Sequence, residues 1–174
     1  MQGPICLYSQ SGNPYVRAAA PDFIDMKQPP LWRCRKCGRY FANRNQSHAC
    51  ARHDLEHHFR GKRPEIRALF DQVVAAIREL GPVRILPEKT RIAFQVRMSF
   101  AQVTPRMNWL DGHVVLARRL MHPRFRVIQT ISPRNHVHTF RLTAPRDVDA
   151  QFREWLAEAY AVGEQRHLHK RSEL

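Results

Sequence analysis

RIAFQVRM, residues 91–98, decides the fold: Ile92, Phe94, Val96 and Met98 alternate with Arg91, Ala93, Gln95 and Arg97. A period of two is what a β-strand with one buried face requires. The pattern returns at residues 124–131, where Phe125, Val127 and Ile131 alternate with Arg124, Arg126 and Thr130. Residues 113–117 and 137–142 read as further strands, with breaks near Pro87, Pro105, Asp111-Gly112, Pro123 and Pro133.

On both sides of this region the period lengthens. Between residues 64 and 80, Ile66, Leu69, Phe70, Val73, Val74, Ile77 and Leu80 recur at helical spacing, with Pro64 suited to the first turn, Gly81 to the cap and Pro82 blocking continuation. A second helix is expected from about residue 145 to 162, with Val148, Phe152, Trp155, Leu156 and Ala159 inward and Gly163 ending it. Both apolar stripes need a surface to cover. The expected fold is therefore α+β: an antiparallel sheet of four to six strands with both helices on one face and a polar, arginine-rich second face.

Ahead of the first helix lies a metal-ligand pattern. Cys34, Cys37, His48 and Cys50 fall within seventeen residues. Two residues between Cys34 and Cys37 let one tight turn aim both sulfurs at one ion, and Gly38 suits the positive φ in which such a turn ends. His48 and Cys50, two apart, share a side if that stretch is extended. His53 is the rival fourth ligand, if a helix beginning near Arg52 starts early. The segment has little apolar material beyond Leu31, Trp32, Tyr40 and Phe41, so it needs a staple to fold. Structural zinc (Zn2+) outranks a disulfide, because residues 1–25 lack the charged start and apolar run of a signal peptide. Cys6 then reads as a spare thiol.

The chain has 174 residues and a formal net charge of +14, which favours polyanionic partners. That charge is unevenly spread: +7 over residues 30–63 and +9 over 82–143, against −1 over 64–81 and −3 over 144–164. No apolar run is long enough to cross a membrane, so a soluble, cytoplasmic protein with no membrane partner is expected. The arginines that alternate along the strands, Arg91, Arg97, Arg124 and Arg126, are the candidate nucleic-acid contacts, with Trp109 and Phe100 as candidate stacking surfaces.

A catalytic constellation is hard to assemble. Glu88 and Asp111 are the only carboxylates between residues 82 and 143, too few for a metal-dependent nuclease centre in the sheet. No glycine-rich phosphate loop or nucleophile elbow occurs. His136 and His138 face one side of a strand together but lack a nearby third ligand, and of His57 and His58 one is expected to pack and one to be solvated.

Trp32, Cys34, Cys37, Gly38, Arg39, Phe41, Ala42, Gln46, His48 and Cys50, followed by Leu55, His58 and Phe59, resemble the zinc-finger start of small bacterial proteins in which it precedes the domain of unknown function 5655. Residues from about 62 to 163 resemble that domain. The resemblance implies an α+β fold and no established activity; relatives occur beside nuclease-like modules, which this chain lacks, and in proteins loosely labelled as transport proteins. The expected division is a flexible segment at 1–29, a zinc-finger module at 30–61, the α+β domain at 62–163 and a basic tail at 164–174. Met26, just before Lys27 and Pro29-Pro30, is a candidate initiator, with the residues before it a dispensable tail.

These readings converge on a zinc-binding, basic interaction module whose partner is nucleic acid, another polyanion or a protein, rather than an enzyme. The alternative is a small-ligand binder or enzyme with a pocket between sheet and helices and His138, Trp109 or Arg97 at its rim.

Overall fold

The structure, a computed structural model, describes residues 28–169. Residues 1–27 of the expected flexible start, the initiation at Met26, the Cys6 thiol and the end of the basic tail lie outside them. The described part is α+β: a two-stranded sheet, a six-stranded antiparallel sheet and helices. The small sheet pairs β1 (Trp32–Arg33) with β2 (Tyr40–Phe41). The large one has the order β3 (Arg84–Pro87), β4 (Ile92–Gln95), β5 (Ser99–Pro105), β6 (Leu110–Leu116), β8 (Asn135–Leu142), β7 (Val127–Ser132).

Helix α1 (Pro64–Leu80) has the bounds its stripe predicts, with Ile66, Leu69, Phe70, Val73, Val74 and Ile77 buried. Helix α2 (Ala150–Gly163) begins later than expected. Pro145–Asp147 form a separate 3-10 turn whose Asp147 carboxylate accepts from the Thr143 and Ala144 N–H groups, and Asp149 then caps α2 by accepting from Phe152 N–H at 2.9 Å. Both helices lie on one face of the large sheet. Phe70 of α1 stacks on Phe94, and Phe152 of α2 meets Phe140 edge to face at 4.9 Å.

Gly163 does not end α2 by adopting a left-handed conformation. Its role is close approach: a Cβ there would lie 2.7 Å from Val96 and 2.8 Å from Phe100, and its carbonyl accepts from Met98 N–H at 2.9 Å. The left-handed residue is Gln165, at φ 65°, after which α3 (Arg166–His169) follows.

The second sheet face is not uniformly open. All four residues of β4 are buried, because the segment carrying β1 and β2 packs over the β3–β4 end. Gln95 Nε2 donates to the Tyr40 carbonyl, and the Arg84 guanidinium lies over the Tyr40 ring at 5.9 Å. The chain thus covers the β3–β4 end of the sheet's outer face with its own N-terminal segment.

Candidate metal centre

The centre is built by a knuckle and a returning limb. The hairpin of β1 and β2 is closed by Cys34 N–H donating to the Arg39 carbonyl and Gly38 N–H donating to the Cys34 carbonyl, both at 2.9 Å. Gly38 sits at φ 72°, the conformation its turn requires. This directs Cys34 and Cys37 to one side. The returning limb carries His48 and Cys50 and has no regular structure. The Arg39 guanidinium holds it by donating to the carbonyls of Ala49 and Ala51, on either side of Cys50, at 2.5 and 2.9 Å. His48 Nδ1 donates to the Gln46 carbonyl at 2.7 Å, which leaves Nε2 as the free lone pair.

The four side chains converge. His48 Nε2 lies 3.3 Å from the sulfurs of both Cys37 and Cys50, Cys34 Sγ lies 3.9 Å from Cys50 Sγ, and all four ligand atoms fall within 4.8 Å of one another. The group could hold a metal ion. His53 is not part of it: no helix starts near Arg52, and the first helical turn is Glu56–Phe59, so residues 51–54 carry His53 away. Phe41 covers the His48 ring at 4.2 Å and Trp32 meets it edge-on at 6.3 Å, giving the site one apolar wall.

Proton affinities reflect this crowding. The Cys37 backbone N–H, the strongest influence, lowers the Cys34 thiol to about 6. Desolvation pushes Cys37 up, but the Arg39 N–H and His48 outweigh it and leave it below its ordinary value. Cys50 is raised by desolvation and by the two neighbouring cysteines. The Gln46 carbonyl chiefly raises His48, with the sulfurs assisting. A cation between the four would replace the protons they share.

The surroundings are basic. Arg33, Arg35, Lys36 and Arg52 line the concavity at the knuckle. Arg35, Lys36, Arg44 and Arg52 are exposed and form no ion pair among the described residues.

The strand arginines expected to form one nucleic-acid face are scattered. Arg97 is only 7% exposed, its guanidinium donating to the Pro29 carbonyl at 2.6 Å and to Gln165 at 3.2 Å. Arg124 turns to α2, where it pairs with Asp149 at 2.8 Å, donates to the Asp147 carbonyl and lies over the Trp155 ring. Arg91 pairs with Glu88 at 2.5 Å. Arg126 alone of the four is exposed without an ion pair among the described residues. Period two assigns a side to a residue, but not what lies on that side.

The histidine pair on β8 is structural. His138 is fully buried, Nδ1 donating to the His136 carbonyl and Nε2 accepting from Leu120 N–H, both at 2.9 Å. His58 is buried and His57 exposed. Asp111 is held between Arg106 and Arg141 at 3.2 and 2.8 Å, so both sheet carboxylates are engaged with arginines. The Arg39 clamp escaped the sequence reading because its partners are backbone carbonyls, which leave no trace in residue type.

The fold and the cluster together define a small α+β protein that carries a group of three cysteines and one histidine on a basic hairpin and its returning limb. The chain belongs to the family described as Domain of unknown function (DUF5655), which matches residues 55–163. The cysteine–histidine group lies wholly ahead of that match. Among curated proteins and among solved structures, none matches the chain.

Proposed function

We propose that the chain is a structural-zinc protein of the cytoplasm whose basic metal-bearing module, residues 30–61, binds nucleic acid, with the domain at 62–163 as its platform. The observation that carries this reading is a group of exposed, unpaired cations on the module that carries the metal-ligating side chains. Several arginines of the larger domain face carboxylates at short range, as in Arg118–Glu158, Arg124–Asp149 and Arg141–Asp111. Arg35, Lys36 and Arg52 line the concavity at the metal group, and these three and Arg44 on the same module are exposed with no such neighbour among the described residues. Unpaired guanidinium and ammonium groups on a rigid knuckle are what a phosphate backbone attracts.

Zinc is favoured by the donor set and its dimensions. Three thiolates and an imidazole select soft or borderline ions. Tetrahedral zinc would separate its sulfurs by about 3.8 Å and sulfur from nitrogen by about 3.5 Å. The separations of 3.9 and 3.3 Å in the cluster fit these values. Bound there, the ion would supply the cross-link that ties knuckle to returning limb, with Cys34, Cys37, His48 and Cys50 as its ligands.

The test is the salt dependence of binding to a short oligonucleotide. Replacing Arg35, Lys36, Arg44 and Arg52 with Gln should flatten the slope of log K against log salt by about three to four, since each lost phosphate contact lowers it by nearly one. Replacing Arg97 and Arg124 should leave the slope unchanged while lowering stability. An unchanged slope in the fourfold variant would contradict the proposal.

A further inference from the structure

The metal-bearing segment covers only the β3–β4 end of the outer sheet face. Beyond it, across β5, β6, β8 and the approach to β7, lies a groove of about 430 Å3. Two cross-strand rows form its floor. Gln102 stands opposite His113 and His113 opposite Thr139, while Thr104 stands opposite Asp111 and Asp111 opposite Arg141. Arg126 also lines it.

Some of these groups are already satisfied. Arg141 and Asp111 hold each other at 2.8 Å, with Arg141 lying 4.1 Å over the Trp109 ring, and the Thr139 hydroxyl is bonded to the Val127 backbone. Four are not: the side chains of Gln102, Thr104, His113 and Arg126 have no hydrogen-bond or ion-pair partner among the described residues. Charge at the groove is unbalanced, because the single Asp111 carboxylate faces Arg106 and Arg141 together, and Arg126 adds another cation.

We propose that this groove binds a phosphate-type oxyanion, with Arg126 supplying the opposing charge and His113, Gln102 and Thr104 the directional hydrogen bonds. The side chains are pre-positioned by strand pairing, so binding costs them little ordering. Burial, and secondarily the Arg91 charge, hold His113 down to about 4, so at neutral pH it offers one N–H donor without adding a cation. The charged groups near it are Arg91 just ahead of β4, Asp111 on its own strand, Arg126 and Arg141. An oxyanion beside it offsets the Arg91 field, so the bound ligand raises the His113 titration.

The experiment is a titration of the metal-loaded full chain with inorganic phosphate at constant ionic strength, read from the His113 ring resonances. Saturable shifts are expected, with an upward move in the ring's titration. Arg126→Gln should weaken binding about tenfold, the effect of losing one charge-assisted hydrogen bond. Absence of a saturable shift, or equal affinity in the Arg126→Gln protein with its fold confirmed by amide spectra, overturns the proposal. A short oligonucleotide added to the phosphate-saturated protein identifies the source: displacement assigns the groove to a phosphodiester, and retention assigns it to a free or terminal phosphate. Repeating the titration in the Arg35, Lys36, Arg44 and Arg52 variant separates this site from the basic knuckle, because phosphate binding should persist there even where oligonucleotide binding is lost.

Discussion

His48 and Cys50 stand two positions apart on an extended limb, and their shared direction depends on two partners outside the ligand set. The Gln46 carbonyl fixes the ring so that Nε2 faces the sulfurs, and Arg39 pins the carbonyls flanking Cys50. His48→Ala should therefore lose stoichiometric zinc while His53→Ala keeps it, measured by metal analysis of reduced protein. Arg39→Ala retains all four ligands but loosens one limb. Its zinc affinity should fall about tenfold in competition with a chromophoric chelator, in the range seen when supporting groups around a metal are removed. An Arg39→Ala protein with unchanged affinity would show that the limb holds itself.

Elements were legible in proportion to how far local pattern controls them. Helix α1 could be read to its ends because Pro64, the apolar stripe and Pro82 all act locally. The start of α2 was set instead by two competing carboxylates, Asp147 closing a 3-10 turn and Asp149 capping the helix, which a reading based on the apolar stripe overlooks. The sheet's helix-facing side was readable at Ile92 and Phe94 but not on β7, where the expected apolar face leaves Val127 and Ile131 exposed, and the other side was hidden because the segment that covers β4 comes from far away in the chain. Gly163 shows the same limit: it resembles a helix terminator but is required by Val96 and Phe100. Gly163→Ala gains about 1 kcal/mol of helix propensity in isolation. Within the packed chain the added methyl meets neighbours below 3 Å, so the net change should be a destabilisation of about 1–2 kcal/mol in urea denaturation. A more stable Gly163→Ala protein would show that the sheet yields easily.

For the whole molecule, three buried or half-buried histidines link stability to acid. Burial chiefly lowers His58, His113 and His138, His113 to about 4. The unfolded chain binds these protons first, so their contribution is present above about pH 6.5 and is lost as pH falls towards 4. His113→Gln should remove its share of that slope, on the order of 1–2 kcal/mol, and so separate it from acid release of the metal. The charge distribution acts at the same scale: carboxylates of the larger domain pair with several of its arginines, and at the hairpin that bears the metal group Arg35, Lys36 and Arg52 stand without an ion pair among the described residues. If that group organises the polyanion surface, metal and binding must rise and fall together. The most direct measurement is oligonucleotide affinity as a function of salt, for the zinc-loaded protein and for the same protein after chelation. The account predicts a steep salt slope when loaded, and a weaker, flatter response when stripped that zinc restores. Equal affinity and slope in both states would contradict it.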